Sequence, residues 1–553
     1  MNDQAAASKP FDPYDQPPPW YATHEELLTT LAVAFLTVLL TVLSFPPFHL
    51  PEFAYAFASP AVFWAYRRPS FKRYAYTILG SNAVAWIIIL SWLHHVTWVG
   101  LALLGMTVGA WIGVWYLAVW WVMPRLPERS TPERMAAVFG LAALWVVVEW
   151  TRTWFLGGFP WLPLSASQWQ RVSILQIAAY TGAYGVSFVL ISMNIGFAAY
   201  AHRLFKEGRA GLKRRSPEFL ACLFLLVLCT MVFLQESLNR GQFAVPLGRV
   251  VIVQPDVPQS IKWDPAEHDR VVSILEQRVE RAGRTRPDLM LLPEACTPLA
   301  IKGDEAMQEW VEKLVSKSRT PLLLGSMAIE NQGTPKELWY NAAFLVRPDS
   351  GVQPDYYAKR HLVPFGEYVP LRPILGWLDK VTPVGDDFNE GVNPSFIPVK
   401  FRKETVPVSP LICYEDVFPD LARDSVRAGG EVLVVLSNSA WYGKSAAAEQ
   451  HVTHSVLRAI ETRRPVLRCG NNGWSGWIDE FGSVREVISG EKGIFIRANL
   501  VFEVTRDSRW IRETSFYTRH GDWFVGACAA LALFAWLLIR INRADTPEPA
   551  TES

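Results

Sequence analysis

The chain has 553 residues, of which 50% are hydrophobic and 19% charged, and it carries 24 Trp. Ordinary soluble domains hold about 25% charged residues, so an average soluble enzyme is excluded. A formal net charge of +1 leaves no basic excess for nucleic acid, which is not expected as a partner.

Crossing roughly 30 Å of hydrocarbon takes about 20 apolar residues. In chain order such runs lie near 27–47, 52–67, 74–96, 98–123, 135–156, 172–201, 217–236 and 522–541, which predicts a polytopic helical membrane domain of about eight spans. The second run is short and interrupted by Pro60. The first lacks the basic start and small-residue cleavage site of a signal peptide. Residues 1–25, with Pro17-Pro18-Pro19, and 542–553 read as disordered cytoplasmic tails.

Loop charges give the orientation. Arg67, Arg68, Lys72 and Arg73, then Arg125, Arg129 and Arg134, then Arg203, Lys206, Arg209, Lys213, Arg214 and Arg215 fall on alternate loops, against only Arg152 and Arg171 on the others. The positive-inside rule makes 26–237 a seven-span domain, puts 240–518 outside the cytoplasm and returns the chain through 521–541. Trp92, Trp98, Trp161 and Trp169 in the outer loops fit interface anchoring. Glu149 and Arg152, near the outer end of the fifth span, are expected to pair or to touch a lipid head group.

The external segment reads as α/β. Apolar strands are expected at 249–253, 289–292, 321–325, 338–347, 406–413, 432–437 and 464–469, with helices at 265–283, 305–317 and 446–462. Continuous apolar strands imply sheets covered on both faces.

Three ionisable residues stand at strand ends: Glu294 after Leu291-Leu292-Pro293, Lys359 after Tyr357-Ala358, and Cys413 after Leu411-Ile412. A cysteine attacks a carbonyl carbon as thiolate, so a base must take its proton. Glu294 suits that task, and Lys359 with a backbone amide near Tyr414 suits the oxyanion. Singly these residues read as a loop carboxylate, a solvated basic patch and a core thiol; shared chain order and strand-end position make them a set. Cys222, Cys229 and Cys528 fall in spans, while Cys296, Cys413 and Cys469 lie outside, so one external thiol stays unpaired within the chain. His451 and His454 lack third and fourth ligands for a metal, and Gly443-Lys444-Ser445 lacks the preceding glycine of a phosphate loop. No metal or cofactor is expected.

These residues, in this order, resemble the nitrilase superfamily. Longer stretches are similar to its membrane branch, the apolipoprotein N-acyltransferases: Gln254-Pro255 with Trp263, Leu292-Pro293-Glu294, Tyr340-Asn341, the run Lys359 to Pro370, Ile412-Cys413-Tyr414-Glu415, Arg463-Arg464-Pro465 to Asn472-Gly473, Gly158-Phe159-Pro160-Trp161, and Thr518 to Asp522. The resemblance implies an αββα sandwich on an eight-helix membrane base in the bacterial inner membrane, with the catalytic domain periplasmic. It implies Glu294 as base, Lys359 as oxyanion stabiliser and Cys413 as acyl carrier, supported by Glu367, Tyr414, Glu415, Trp263 and Asn341. The implied reaction is ping-pong. A phospholipid, usually phosphatidylethanolamine, gives its sn-1 chain to the cysteine, and the α-amino group of a diacylglyceryl-cysteine in an apolipoprotein then takes it. A monomer is expected. The alternative is a membrane-tethered amidase or nitrilase acting on a small C–N substrate. Two departures stand out: Ser439 replaces an acidic residue usual after Asn438, and Cys296, expected to be a small packing residue, lies two positions after Glu294.

Overall fold

The computed structural model describes residues 24–206, 216–370, 372, 387–402 and 404–541. The expected terminal tails, save residues 24 and 25, and the basic positions Arg209, Lys213, Arg214 and Arg215 lie outside them.

The membrane part is built of α1 (Glu25–Leu43), α2 (Ser59–Tyr66), α3 (Phe71–Ile89), α4 (Trp98–Val122), α5 (Thr131–Thr151), α6 (Val172–Leu175), α7 (Ala178–Thr181), α8 (Ala183–Lys206) and α9 (Pro217–Asn239). Local chemistry sets the helix starts. Thr97 accepts the Gly100 N–H at α4, and Ser130 and Glu133 form a reciprocal cap at α5. Six described helices, α1, α4, α5, α8, α9 and the C-terminal Trp523–Ile541, are long and apolar enough to cross a bilayer. The stretch 52–67 is not one helix: a 3-10 turn precedes the eight-residue α2, whose length of about 12 Å cannot cross alone. The run 172–201 is likewise divided, because Gly182 has φ +68° and the Tyr517 ring lies where a Cβ would sit. The first N–H of α8 beyond this break is taken by the Glu461 carboxylate at 2.8 Å, a cap supplied by the external domain.

That domain contains two six-stranded sheets. The first runs β12-β1-β2-β3-β4-β5, from β1 (Ala244–Gln254), β2 (Leu289–Leu292), β3 (Leu322–Glu330), β4 (Leu338–Arg347), β5 (Gly351–Ala358) and β12 (Ala498–Asp507). The second runs β11-β10-β9-β8-β7-β6, from β6 (Ile397–Lys400), β7 (Thr405–Ile412), β8 (Val432–Ser437), β9 (Val466–Gly470), β10 (Gly476–Ile478) and β11 (Val484–Val487). In each sheet the central three strands are parallel and the flanking ones antiparallel.

Period-two alternation explains the layers. Leu289 and Leu291 meet Val432, Val434 and Leu436 between the sheets, whereas Met290 and Leu292 face α11 (His268–Gly283) and α12 (Glu305–Ser318). Leu433 and Val435 point the other way, towards α14 (Ala447–Thr462), and share one core with the membrane helices. The result is an αββα sandwich whose second helix layer lies on the membrane domain. The helix α10 (Gln259–Lys262) follows β1, α13 (Pro419–Arg427) follows β7, and α15 (Phe516–His520) and α16 (Trp523–Ile541) close the chain.

Close packing of α3 on α4 depends on Gly105, Gly109 and Gly113: a Cβ on Gly109 would lie 2.6 Å from the Ala83 backbone. Small residues at this spacing let helix backbones approach in a membrane. Gly109→Val is expected to destabilise the protein by about 1–3 kcal/mol, read as a lower thermal midpoint in detergent.

Candidate active site

The sheet order brings three strand ends to one place. Pro293 and Glu294 follow β2, Lys359 follows β5, and Cys413 follows β7. Glu294 is held from behind: the adjacent Ala295 has φ +43°, Gly325 N–H donates to the Pro293 carbonyl at 3.1 Å, and Cys296 N–H donates to the Gly325 carbonyl at 2.8 Å. Cys413 sits in the left-handed region, φ +52°, at the head of a 3-10 turn through Val417. Such a conformation costs a non-glycine residue about 1–2 kcal/mol and turns the side chain sharply off the strand.

Lys359, 1% exposed, carries the electrostatics. Its Nζ lies 2.8 Å from Glu367 Oε2 and 3.4 Å from Glu294 Oε1. Asn341 Nδ2 bridges the same carboxylates, at 2.9 Å to Glu294 and 2.8 Å to Glu367. Burial by itself disfavours the ammonium, yet Glu367 and then Glu294 outweigh it and hold its pKa above the ordinary lysine value. Burial pushes the Cys413 thiol well up, Glu294 adds to the rise, and Lys359 and the Asn438 backbone amide pull against it. The resting sulfur is therefore protonated at neutral pH, beside a carboxylate able to accept its proton.

Glu415 ties the cysteine turn to the lysine strand. Its carboxylate accepts from Ile412 N–H and Arg360 N–H, each at 2.6 Å, and from the Tyr357 hydroxyl at 2.9 Å. Tyr414 reaches the other way, its hydroxyl 3.4 Å from the Gly158 carbonyl of the membrane domain. Trp263, 40% exposed, stands at the rim and is linked to the cluster through Lys262, whose Nζ lies 5.4 Å from its ring and donates to the Glu294 carbonyl at 3.3 Å.

Several other expectations are resolved by geometry. Cys296 packs in the core under α11 and α12, and burial raises its thiol to about 12. The loop bearing Ser439 is anchored by its neighbour: Asn438 Oδ1 accepts from Ala440 N–H at 3.2 Å and Asn471 Nδ2 at 3.0 Å. Trp92, Trp161 and Trp169 are buried rather than lipid-facing, and only Trp98 is exposed. The reason is that the outer loops pack under the catalytic domain, so Trp161 lies tilted against the rings of His451 and His454. Glu149 and Arg152 form no pair: Glu149 accepts from Leu164 N–H at 2.7 Å, and Arg152 donates to the Phe159 and Trp161 carbonyls.

A second buried network escaped the sequence reading. Asp416 accepts from His451 Nε2 at 2.7 Å, Arg468 Nη1 at 2.6 Å and Ser455 Oγ at 2.5 Å, while the same His451 nitrogen lies 3.1 Å from the Cys413 carbonyl. Burial opposes ionisation of Asp416, but His451 and Arg468 hold its carboxyl well below the ordinary range. The available signal was Asp416 within Cys413-Tyr414-Glu415-Asp416 and the histidine at 451, which reads as half a metal site until its partner is known.

Two expected outcomes test this picture. Arg468→Met leaves a buried carboxylate short of its cation and should destabilise the fold by about 3–5 kcal/mol, measured by thermal unfolding in detergent. Alkylation of Cys413 by iodoacetamide, followed by mass spectrometry, should keep accelerating past about pH 9.5, one unit above an ordinary thiol's pKa, where an ordinary thiol levels off; a plateau there contradicts the raised thiol.

Residues 37–196 match the family model described as the apolipoprotein N-acyltransferase N-terminal domain, and residues 249–516 match carbon-nitrogen hydrolase. The apolipoprotein N-acyltransferase of Geobacter metallireducens is 31% identical over 514 residues, covering 90% of this chain and 93% of that protein. That of Azotobacter vinelandii is 31% identical over 440 residues, 78% of this chain and 79% of its own. Among solved structures, an amidase from Nesterenkonia sp. aligns at 16% identity and a TM-score of 0.36, over 50% of this chain and 97% of the amidase.

Proposed function

The chain belongs to the apolipoprotein N-acyltransferase family, and from that premise we propose that it carries a phospholipid acyl chain on Cys413 to the α-amino group of a diacylglyceryl-cysteine in a lipoprotein. It is an acyltransferase of lipoprotein N-acylation and a multi-pass membrane protein. The donor, the two-step course and the residue roles are this proposal's content.

In the first half, Glu294 takes the thiol proton as Sγ attacks the sn-1 ester carbonyl. A general base contributes about 10²–10⁴ in rate. The oxyanion develops against the Lys359 ammonium, a kind of interaction worth about 3–4 kcal/mol. Collapse expels the glycerol oxygen, which recovers the proton from Glu294, and leaves a thioester. In the second half the neutral amine attacks that thioester, its proton passes to Glu294, and the sulfur leaves and is reprotonated. The observation that carries the reading is the shared hold on Glu294 and Lys359 by Asn341 and Glu367, beside a cysteine fixed at φ +52°.

The membrane base favours a lipid donor over a small C–N substrate. Moving an acyl chain into water costs about 0.8 kcal/mol per CH₂, so the thiol belongs next to the bilayer. Inner-membrane placement with a periplasmic catalytic domain is supported by charge. Arg67, Arg73 and Arg134 pair with Glu25, Glu26 and Glu218 at the helix ends remote from the catalytic domain, where the positive-inside rule puts the cytoplasm.

The test is intact mass of the purified protein after incubation with phosphatidylethanolamine, with peptide mapping. A fatty-acyl increment on Cys413 is expected, absent in Cys413→Ala and formed about 10²–10⁴ slower in Glu294→Gln. Acyl transfer persisting in Cys413→Ala would sink the proposal, and turnover of a small amide without any adduct would favour the amidase reading.

A further inference from the structure

One side chain at the junction of the two domains has its hydrogen-bonding capacity filled from the far side. Gln450, on the first turn of α14 and 1% exposed, accepts the indole N–H of Trp92 at 2.8 Å and of Trp161 at 2.9 Å on its Oε1. Its Nε2 donates to the Pro46 carbonyl at 3.2 Å and the Ile89 carbonyl at 2.9 Å. A primary amide offers two N–H donors and two acceptor lone pairs, and here all four are used. The partners come from separate stretches of the membrane domain: the turn after α1, the end of α3 with the turn that follows, and the loop after α5. The next residue is His451, whose Nε2 lies 3.1 Å from the Cys413 carbonyl and 2.7 Å from Asp416. Consecutive residues of one helix thus grip the membrane domain and the cysteine's turn.

We propose that Gln450 is a positioning residue that sets the height and tilt of Cys413 over the membrane domain, so that a donor seated in the bilayer meets the sulfur at reacting distance. The proposal rests on the phospholipid-donor reading above. Reacting atoms must lie about 3–3.5 Å apart, and a displacement of about 1 Å by a remote change can cost 10²-fold in rate. A small reagent arriving from water adjusts its own approach and does not need this registration. A lipid held by the bilayer does.

The experiment uses the full chain reconstituted in phosphatidylethanolamine bilayers, with Gln450→Met, which keeps the volume and removes all four hydrogen bonds. Thioester formation on Cys413 from bilayer lipid should fall by about tenfold or more, while Cys413 alkylation by aqueous iodoacetamide stays within about twofold. Equal loss in both rates would show a general structural role and overturn the proposal, as would no loss in either. Trp92→Phe and Trp161→Phe each delete one donor to Gln450 and should give smaller losses of the same selective kind, which keeps the test open should Gln450→Met fold poorly. A readout independent of the donor is the distance distribution between nitroxides at exposed Val99 on α4 and exposed Glu309 on α12, placed in Cys413→Ala. Gln450→Met should broaden it, and an unchanged distribution refutes the idea. If the unsubstituted protein takes no acyl chain from phospholipid, the donor reading fails, and the nitroxide distances still decide the role of Gln450.

Discussion

A cation taken out of water between two carboxylates governs the layout of the external domain. Lys359 is fully buried, and an ammonium in that setting persists only where opposite charge and good hydrogen-bond geometry surround it. The requirement reaches across three strands and a loop: Glu294 after β2, Asn341 within β4, Lys359 after β5, and Glu367 beyond. Burial disfavours the neighbouring thiolate, and with the lysine flanked by two anions the cluster is negative overall and Glu294 adds to that effect, so the thiol stays protonated. Transfer of its proton to Glu294 removes that excess at once. The carboxylate becomes neutral, and the new thiolate inherits the lysine as its partner. The same arrangement that keeps the resting sulfur quiet therefore favours its ionised form once Glu294 holds the proton.

Much of this was legible because parallel strands buried on both faces leave a strong signature. Leu289 to Leu292, Val432 to Ser437 and the run into Cys413 were readable as strands, and the first and last of these end at Glu294 and Cys413. Of the flanking antiparallel strands, β4 was readable as the apolar run 338–347, but β5 and β11 were not. β5 contains Gln353, Pro354 and Asp355, and β11 is three-quarters exposed residues, so neither shows a continuous apolar run. The membrane half was legible in outline, since length and apolarity are conspicuous over 20 residues. Its interruptions at 56–58 and at Gly182 were not, because the reasons are tertiary: Asn194 Oδ1 accepts the Ala58 N–H at 2.7 Å, and Tyr517 crowds Gly182.

Polar residues inside the junction were the least readable. Gln450, His451, Arg468 and Asp416 are separated by up to 52 positions, and each alone resembles a residue destined for solvent. Their burial becomes sensible only when β7, β9 and α14 are assembled and leave each group a partner. The tryptophans illustrate the same limit. A Trp-rich outer loop is expected at a lipid interface, but Trp92 and Trp161 spend their indole N–H groups on Gln450 instead.

The helix α14 has almost no face in water: every residue from Ala447 to Thr462 except the half-buried Glu449 is buried, one side against the second sheet and the other against the membrane domain. Cutting the chain at 240 and 518 would thus yield no soluble enzyme. It would leave Gln450, His454 and Glu461 without the membrane-domain groups that partner them now, a bared face suited to aggregation rather than catalysis. The lipid-facing helices serve this α/β domain as its missing layer, and the two are halves of one folding unit.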